Sequence, residues 1–191
     1  MQVSKGKRVR TTPESASEIY FWAKTLSVAL IVLILTNTFF LRLSSVSGSS
    51  MCPTLESMDQ LMLQVAGYNT RRNPVKRGDI VVVISEEFGS DTPLVKRIIG
   101  VPGDVIDITE TGLVSVNGTV LQESYISESI SPNERGSVAY PYTVSEGCVF
   151  VMGDNRNLSI DSRELGEMSS EAIVGKAILR IWPLNKFGGV E

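Results

Sequence analysis

The first residue of this chain whose side chain could do chemistry is Ser50. It would have to act without an imidazole, because the sequence contains no histidine. A missing imidazole excludes every mechanism that depends on one, including the Ser–His–Asp triad. Ser50 lies in SGSSMCPTL (residues 47–55), where small residues would let another backbone approach closely and Pro53 fixes the local chain. The segment indicates a nucleophile, but a serine- and glycine-rich linker would have the same composition.

The second candidate is Lys96, in the apolar segment LVKRIIGVPGD (residues 94–104). Strand alternation places Lys96 on one face with Leu94 and Ile98, and places the next residue, an arginine, on the opposite face. Both faces are otherwise apolar, so we expect at least one of the two cations to lie in or near a core. Burial disfavours a charged ammonium, and a neutral lysine can act as a general base. The alternative is that both cations protect an edge strand from aggregation.

Charged and amide side chains crowd the third candidate segment, GDNRNLSIDSR (residues 153–163). We expect them to form a network of ion pairs and hydrogen bonds around a group that must be positioned. A solvated loop with a helix N-cap is the alternative. The charged members of this segment are Asp154, Arg156, Asp161 and Arg163.

Composition excludes several other classes of function. The chain has 191 residues, a net charge of −3 and a pI near 5.2, so we expect no basic surface for a nucleic-acid partner. Its two cysteines, Cys52 and Cys148, are too few for a four-cysteine zinc site, and their spacing does not argue for a disulfide. We therefore expect neither a metal nor another cofactor.

Short segments rich in valine and isoleucine must position the candidate groups, and they predict a mainly β domain over residues 44–191. Asn117-Gly118, between two of these segments, predicts a type I′ hairpin turn. The polar stretch 124–146 is expected to be a loop or a short excursion from the sheet. The predicted strands cover residues 79–85, 94–100, 104–108, 112–116, 148–152 and 173–182.

An apolar segment over residues 19–43 precedes this domain and predicts one transmembrane helix. No charge occurs from Thr25 to Leu41, about 17 residues, which would extend roughly 26 Å as a helix. A cleavable signal peptide and a buried core helix are the alternatives. The tail over residues 1–18 is predicted to be cytoplasmic, and the β domain extracytoplasmic, because basic residues precede the span. These basic residues are Lys5, Lys7, Arg8 and Arg10.

Four segments, SGSSMCPTL, RGDIVVV (77–83), VKRIIGVPGD and GDNRNLSIDSR, resemble in order and spacing the conserved boxes of type I signal peptidases. The similarity is strongest to the single-span, lysine-dependent bacterial form found in Gram-positive organisms. This resemblance implies a coiled, barrel-like β-sheet behind one membrane anchor in the lipid bilayer. It also implies a serine endopeptidase that removes signal peptides from exported preproteins after small residues at positions −3 and −1.

The same resemblance implies the catalytic groups of the site. Ser50 would be the nucleophile, Lys96 would be the general base, and Ser159 would orient the Lys96 amine. The backbone N–H of Ser50 would be one donor to the oxyanion. Some relatives supply a second donor from a serine two residues earlier, but this sequence has Gly48 there.

Supporting residues follow from the resemblance as well. Asp161 and Arg163 would hold the part of the site around the lysine. Asp154 would pair with Arg97 behind the strand. The residues implied at the substrate or near the oxyanion are Gly48, Met51, Pro53, Leu94 and Val95.

Three rival functions are open from the sequence alone. Self-cleaving repressors of the SOS response share the Ser–Lys chemistry by resemblance, but they are cytosolic and carry a DNA-binding domain. A relative that matures one dedicated substrate, such as a conjugation pilin, would carry the same residues as a general signal peptidase. A catalytically inactive binding module is the third alternative, and the presence of Ser50, Lys96 and Ser159 argues against it.

Overall fold

The computed structural model of the protein describes residues 13–70, 72–85 and 90–190. This part of the chain contains a long helix followed by a β-rich region, and the boundary between two compact units lies between Thr38 and Phe39. The basic cluster on which the predicted topology depends lies outside the described residues.

Helix α1 extends over Pro13–Phe39. A proline suits its first position, because the missing N–H would have no partner within the helix. The window Ala16–Leu35 is long and apolar enough to cross a membrane, and none of it is buried, so the alternative of a buried core helix is wrong. The helix begins before the predicted span 19–43. It also ends before that span does, because residues 41–43 belong to a strand.

The second unit is built mainly from strands joined by turns and short helices. A short α-helix, α2, covers Ser162–Leu165, and 3₁₀ turns cover Pro132–Glu134, Arg156–Leu158, Ser170–Ala172 and Leu184–Lys186. The strands are β1 (Leu41–Ser45), β2 (Gln60–Gln64), β3 (Ile80–Ser85), β4 (Ser90–Gly100), β5 (Val105–Ile108), β6 (Val114–Val116), β7 (Thr119–Val120), β8 (Tyr142–Thr143), β9 (Cys148–Met152), β10 (Met168–Ser169), β11 (Ile173–Trp182) and β12 (Gly188–Gly189).

These strands form two antiparallel sheets. The larger sheet has the order β1-β2-β11-β3-β4-β9-β10, with β12 paired to β11, and the smaller has the order β7-β6-β5-β8. Register shifts interrupt the pairing of β11 with β2 and β3, and that of β4 with β3 and β9. Such irregularities bend and twist strands, and the larger sheet curls into a half-barrel. The predicted mainly β, coiled fold is therefore confirmed.

Apolar side chains cover both faces of the central strands, which explains why β3 is a continuous apolar run rather than an alternating one. Burying one such valine stabilises the fold by about 1.5–3 kcal/mol relative to leaving it exposed. Buried members of one cluster include Val46, Met51, Leu55, Val82 and Val95, and buried members of another include Tyr68, Val81, Val83 and Ile98.

The position of β4 decides between the two interpretations of its cations. β4 lies between β3 and β9 in the sheet order. Only 3% of Lys96 and 2% of Arg97 is exposed, so both cations are buried, one on each face, and the alternative that they protect an exposed edge is wrong. β9 pairs with β4 from Arg97 to Gly100, whereas β3 pairs with it from Ser90 to Arg97.

The hairpin between β6 and β7 has the predicted turn. Asn117 and Gly118 both have positive φ, at 53° and 78°, and Val116 pairs with Thr119 across the turn. Two successive left-handed residues define a type I′ turn and match the twist of the flanking strands.

Candidate active site

Ser50 lies in a tight turn that follows β1. Two hydrogen bonds close the turn, from the Cys52 N–H to the Ser49 carbonyl at 3.1 Å and from the Leu55 N–H to the Met51 carbonyl at 2.9 Å. Met51 and Leu55 are fully buried in the core, while Ser50 is half-buried. The apolar residues thus fix the turn to the domain and leave the serine accessible.

Lys96 reaches the same site from the middle of β4. Its Nζ donates a hydrogen bond of 2.8 Å to Ser159 Oγ. Burial lowers the pKa of the Lys96 amine below that of an ordinary lysine, the Asp161 carboxylate opposes this shift in part, and Arg163 adds to it. At a given pH, a larger fraction of this amine is therefore in the neutral, proton-accepting form than for a lysine on the surface.

A buried ion pair holds Ser159 in place. Arg163 Nε and Nη2 contact the two carboxylate oxygens of Asp161 at 2.9 and 3.0 Å, and Nη2 also donates to the Ser159 carbonyl at 3.0 Å. The same carboxylate accepts a hydrogen bond from the Gly153 N–H at 2.9 Å and caps α2. The backbone at Gly153 and at Ser159 is thereby hydrogen-bonded to the same ion pair.

One cleft of about 330 Å³ brings the predicted nucleophile and base together. Ser50 and Lys96 both line it, together with Gly48 and Leu94. Met51 and Val95, two other residues predicted near the substrate, lie instead in the core cluster beneath the turn. Pro53 is exposed and lines a neighbouring cavity.

The second cation of β4 belongs to a separate buried pair behind the strand. Arg97 contacts both carboxylate oxygens of Asp154, at 2.8 and 2.7 Å. Its guanidinium also lies 3.8 Å from the centroid of the Tyr125 ring, a cation–π distance. Thr54 donates a hydrogen bond of 2.6 Å to Asp154. This pair links the turn of Ser50 to the strand of Lys96.

Three further residues that shape the site were not predicted from the sequence. A Cβ on Gly153 would overlap both Ser159 Oγ and the Ser50 carbonyl oxygen, so only glycine lets the end of β9 pass between them. The Asn155 N–H donates to the same Ser50 carbonyl at 2.9 Å. Thr54 is the third such residue. A glycine directly after a buried strand indicates that another part of the chain approaches its backbone closely, so Gly153 could have been found from the sequence. No sequence pattern pointed to Asn155 or Thr54.

Comparison with known proteins identifies the family to which this geometry belongs. Residues 19–182 match the sequence profile described as "Signal peptidase, peptidase S26". The chain belongs to the signal peptidase family S26. It is a serine endopeptidase, as the resemblance of its four segments implied.

Two relatives of known name agree with this membership over about nine tenths of the chain. A signal peptidase I from Leptolyngbya laminosa is 33% identical over 92% of this chain and 86% of its own length. A signal peptidase I from Bacillus licheniformis is 34% identical over 89% of this chain and 92% of its own. A crystal structure of a signal peptidase I from Enterococcus faecalis is 28% identical, with a TM-score of 0.42 over 53% of this chain and 95% of that one.

Proposed function

We propose that this family member is a membrane-bound endopeptidase that cleaves signal peptides from exported preproteins with a Ser–Lys dyad, Ser50 and Lys96. The observation that carries the proposal is the shared cleft, which Ser50 and Lys96 both line, while Ser159 accepts a hydrogen bond of 2.8 Å from the Lys96 amine. With no histidine in the chain, the buried amine is the group of this cleft best suited to act as a base.

The proposed reaction needs only groups of this cleft. The neutral Lys96 amine accepts the Ser50 hydroxyl proton as Oγ attacks the scissile carbonyl carbon, and the resulting ammonium then gives that proton to the departing amine. Water hydrolyses the acyl-enzyme by the same steps in reverse order, with Lys96 again accepting and returning a proton. Ser159 keeps the amine directed at Ser50 throughout this cycle.

The oxyanion of the tetrahedral intermediate needs donors close to Ser50. Among the described residues, the Ser50 N–H donates to no other group, so it is available for this task. Gly48 lines the cleft but carries no hydroxyl, so only its backbone could contribute. This supports the assignment of the Ser50 N–H as the principal donor.

The signal peptide would bind as an added strand along β4. β9 pairs with β4 only from Arg97 to Gly100. From Lys96 back to Leu94, no strand of the described chain pairs with β4 on that side. Free backbone groups there could pair with an extended peptide, while Gly48 and the neighbouring serines line the opposite wall. Leu94 supplies an apolar surface, consistent with small side chains at −1 and −3.

We expect Ser159→Ala to lower kcat by about tenfold to a thousandfold while KM changes little, because one hydrogen bond that orients the base would be lost. Steady-state cleavage of a peptide substrate measures both constants. Ser129→Ala, at an exposed position, is the control. An unchanged kcat with a raised KM would place Ser159 on the substrate-binding surface instead.

Helix α1 would anchor the enzyme, with the N-terminus in the cytoplasm and the catalytic unit outside. We expect protease treatment of intact spheroplasts to digest the part of the chain after Leu43. A cytoplasmic marker protein must stay intact in the same preparation. Full protection of that part, while an extracytoplasmic marker is digested, would contradict this orientation.

The function itself is tested by incubating the detergent-solubilised protein with several unrelated preproteins and with a variant of each that carries tyrosine at −3. We expect cleavage after position −1, and cleavage of the tyrosine variants that is slower by about tenfold or more, because the pocket accepts only small side chains. Absence of cleavage by a folded preparation would contradict the proposal. Cleavage of one preprotein alone would indicate a dedicated substrate.

A further inference from the structure

A second cavity, of about 310 Å³, adjoins the catalytic cleft. The turn of the nucleophile contributes to both, because Ser50 lines the cleft whereas Cys52 and Pro53 line the second cavity. On the opposite wall Leu158 lines both of them. The two cavities therefore share a boundary that lies between Leu158 and the turn after Ser50.

An extended peptide whose scissile carbonyl lies at Ser50 must continue in both directions from that point. One arm can pair with β4 inside the cleft, where residues 47–49 form the facing wall. The other arm leaves the cleft past Leu158, and the second cavity is a concave surface beyond that residue. A further cavity also contains Leu158, but only the second one includes the turn after Ser50. Residues 127–128 complete its wall.

The linings of the two cavities differ in their ionisable side chains, although both expose more apolar than polar surface. Apolar side chains of Leu94 and Ile160 line the cleft, which suits the small, apolar side chains before the scissile bond. Among the described residues, Lys96 is the ionisable side chain of the cleft, whereas the second cavity is lined by Glu128, Asp154 and Arg156.

Among the described residues that line the second cavity, Glu128 carries the charge that is not balanced by an ion pair. Asp154 pairs with Arg97, and Arg156 pairs with Glu123 at 2.5 Å. Glu128 is exposed and accepts only a hydrogen bond of 3.3 Å from Asn157. An acidic substrate side chain in this cavity would be repelled, and a basic one would be attracted.

We infer that the cavity between Cys52, Asn157 and Glu128 binds the residues directly after the scissile bond, which are the first residues of the mature protein, and that Glu128 selects against acidic ones. This inference rests on the proposed function, since it assigns the leaving half of the same substrate. It makes Glu128 a specificity-determining residue, remote from the dyad along the chain.

The test uses the full-length protein in detergent and three peptides that are identical except at positions +2 and +3, which carry Lys-Lys, Ser-Ser or Asp-Asp. For the unchanged protein we expect kcat/KM to be highest for Lys-Lys and lowest for Asp-Asp, by about twofold to tenfold in total. Glu128→Gln should bring this ratio close to one, and Glu128→Lys should invert it. Glu146→Gln, at another exposed acid, should keep it.

The ratio of kcat/KM for the Lys-Lys peptide to kcat/KM for the Asp-Asp peptide is measured separately for each variant. It therefore does not depend on how much of a preparation is active. An identical ratio in the unchanged protein and in both Glu128 variants would overturn the inference while leaving the proposed function intact. The same holds for equal cleavage of all three peptides by the unchanged protein. Failure to cleave any of them would overturn the inference and the proposed function together.

Discussion

Replacing Ser50 or Lys96 with alanine is expected to lower kcat/KM for a signal-peptide substrate by about 10⁴-fold or more, to the background of the assay. In the proposed mechanism the two side chains form one unit, in which the serine supplies the nucleophile and the lysine accepts its proton, so losing either member should abolish turnover alike. The double variant should then be no worse than either single one. Discontinuous cleavage assays at high enzyme concentration measure the residual rates.

Two controls separate lost chemistry from lost folding. Ser124→Ala, at an exposed position outside the cleft, should retain activity within about threefold. Lys96→Arg keeps a cation in the strand but cannot supply a neutral base, so it should be as inactive as Lys96→Ala. Wild-type-like turnover by either alanine variant would contradict the assignment of the dyad.

Asp154→Ala is expected to destabilise the folded protein by about 3–5 kcal/mol, because it leaves a buried arginine without its counterion. Arg97 is 2% exposed and makes both of its short carboxylate contacts to Asp154. The hydrogen bond from Thr54 to Asp154 would be lost as well, and with it a connection to the turn of Ser50. Urea unfolding of the detergent-solubilised protein measures the change in the free energy of unfolding.

A surface ion pair provides the matched comparison for this prediction. Arg77 contacts Asp104 at 2.8 Å, but its side chain is 40% exposed, so Arg77→Ala should change the free energy of unfolding by about 1 kcal/mol or less. The double variant Arg97→Met/Asp154→Leu should recover much of the loss, since apolar side chains replace both buried charges. A loss below about 1 kcal/mol for Asp154→Ala would show that the pair is not buried in solution.

Sequence patterns predicted the strands that are rich in β-branched or aromatic residues and missed β1 and β2, which are not. β3, β9 and β11 were assigned with nearly their observed bounds, because short segments of that composition favour strands. β1 was merged with the membrane anchor, since LRL continues its apolar pattern. β2, with the sequence QLMLQ, consists of residues that favour helices, and only its pairing with β1 and β11 makes it a strand.

The candidate site was predictable where a polar group interrupts an apolar pattern. Lys96 and Arg97 stand out in β4 for that reason, yet alternation alone could not decide between buried and exposed cations. The packing of the folded domain, which buries both side chains, decided it. Thr54 and Tyr125 gave no such signal. They reach Asp154 and Arg97 from loops distant along the chain, and no local pattern encodes such contacts.

The pH dependence of kcat/KM tests most directly whether Lys96 is the catalytic base. Burial lowers the pKa of its amine, so the folded protein binds fewer protons than the unfolded chain between that value and the ordinary lysine pKa of about 10.4. Both activity and the contribution of this group to stability should therefore rise with pH across this window. Measured on the full-length protein in detergent, the profile should show one ascending limb with an apparent pKa clearly below about 10.4. A profile flat from about pH 6 to 10, or a limb only at the value of a free lysine, would contradict a buried Lys96 base.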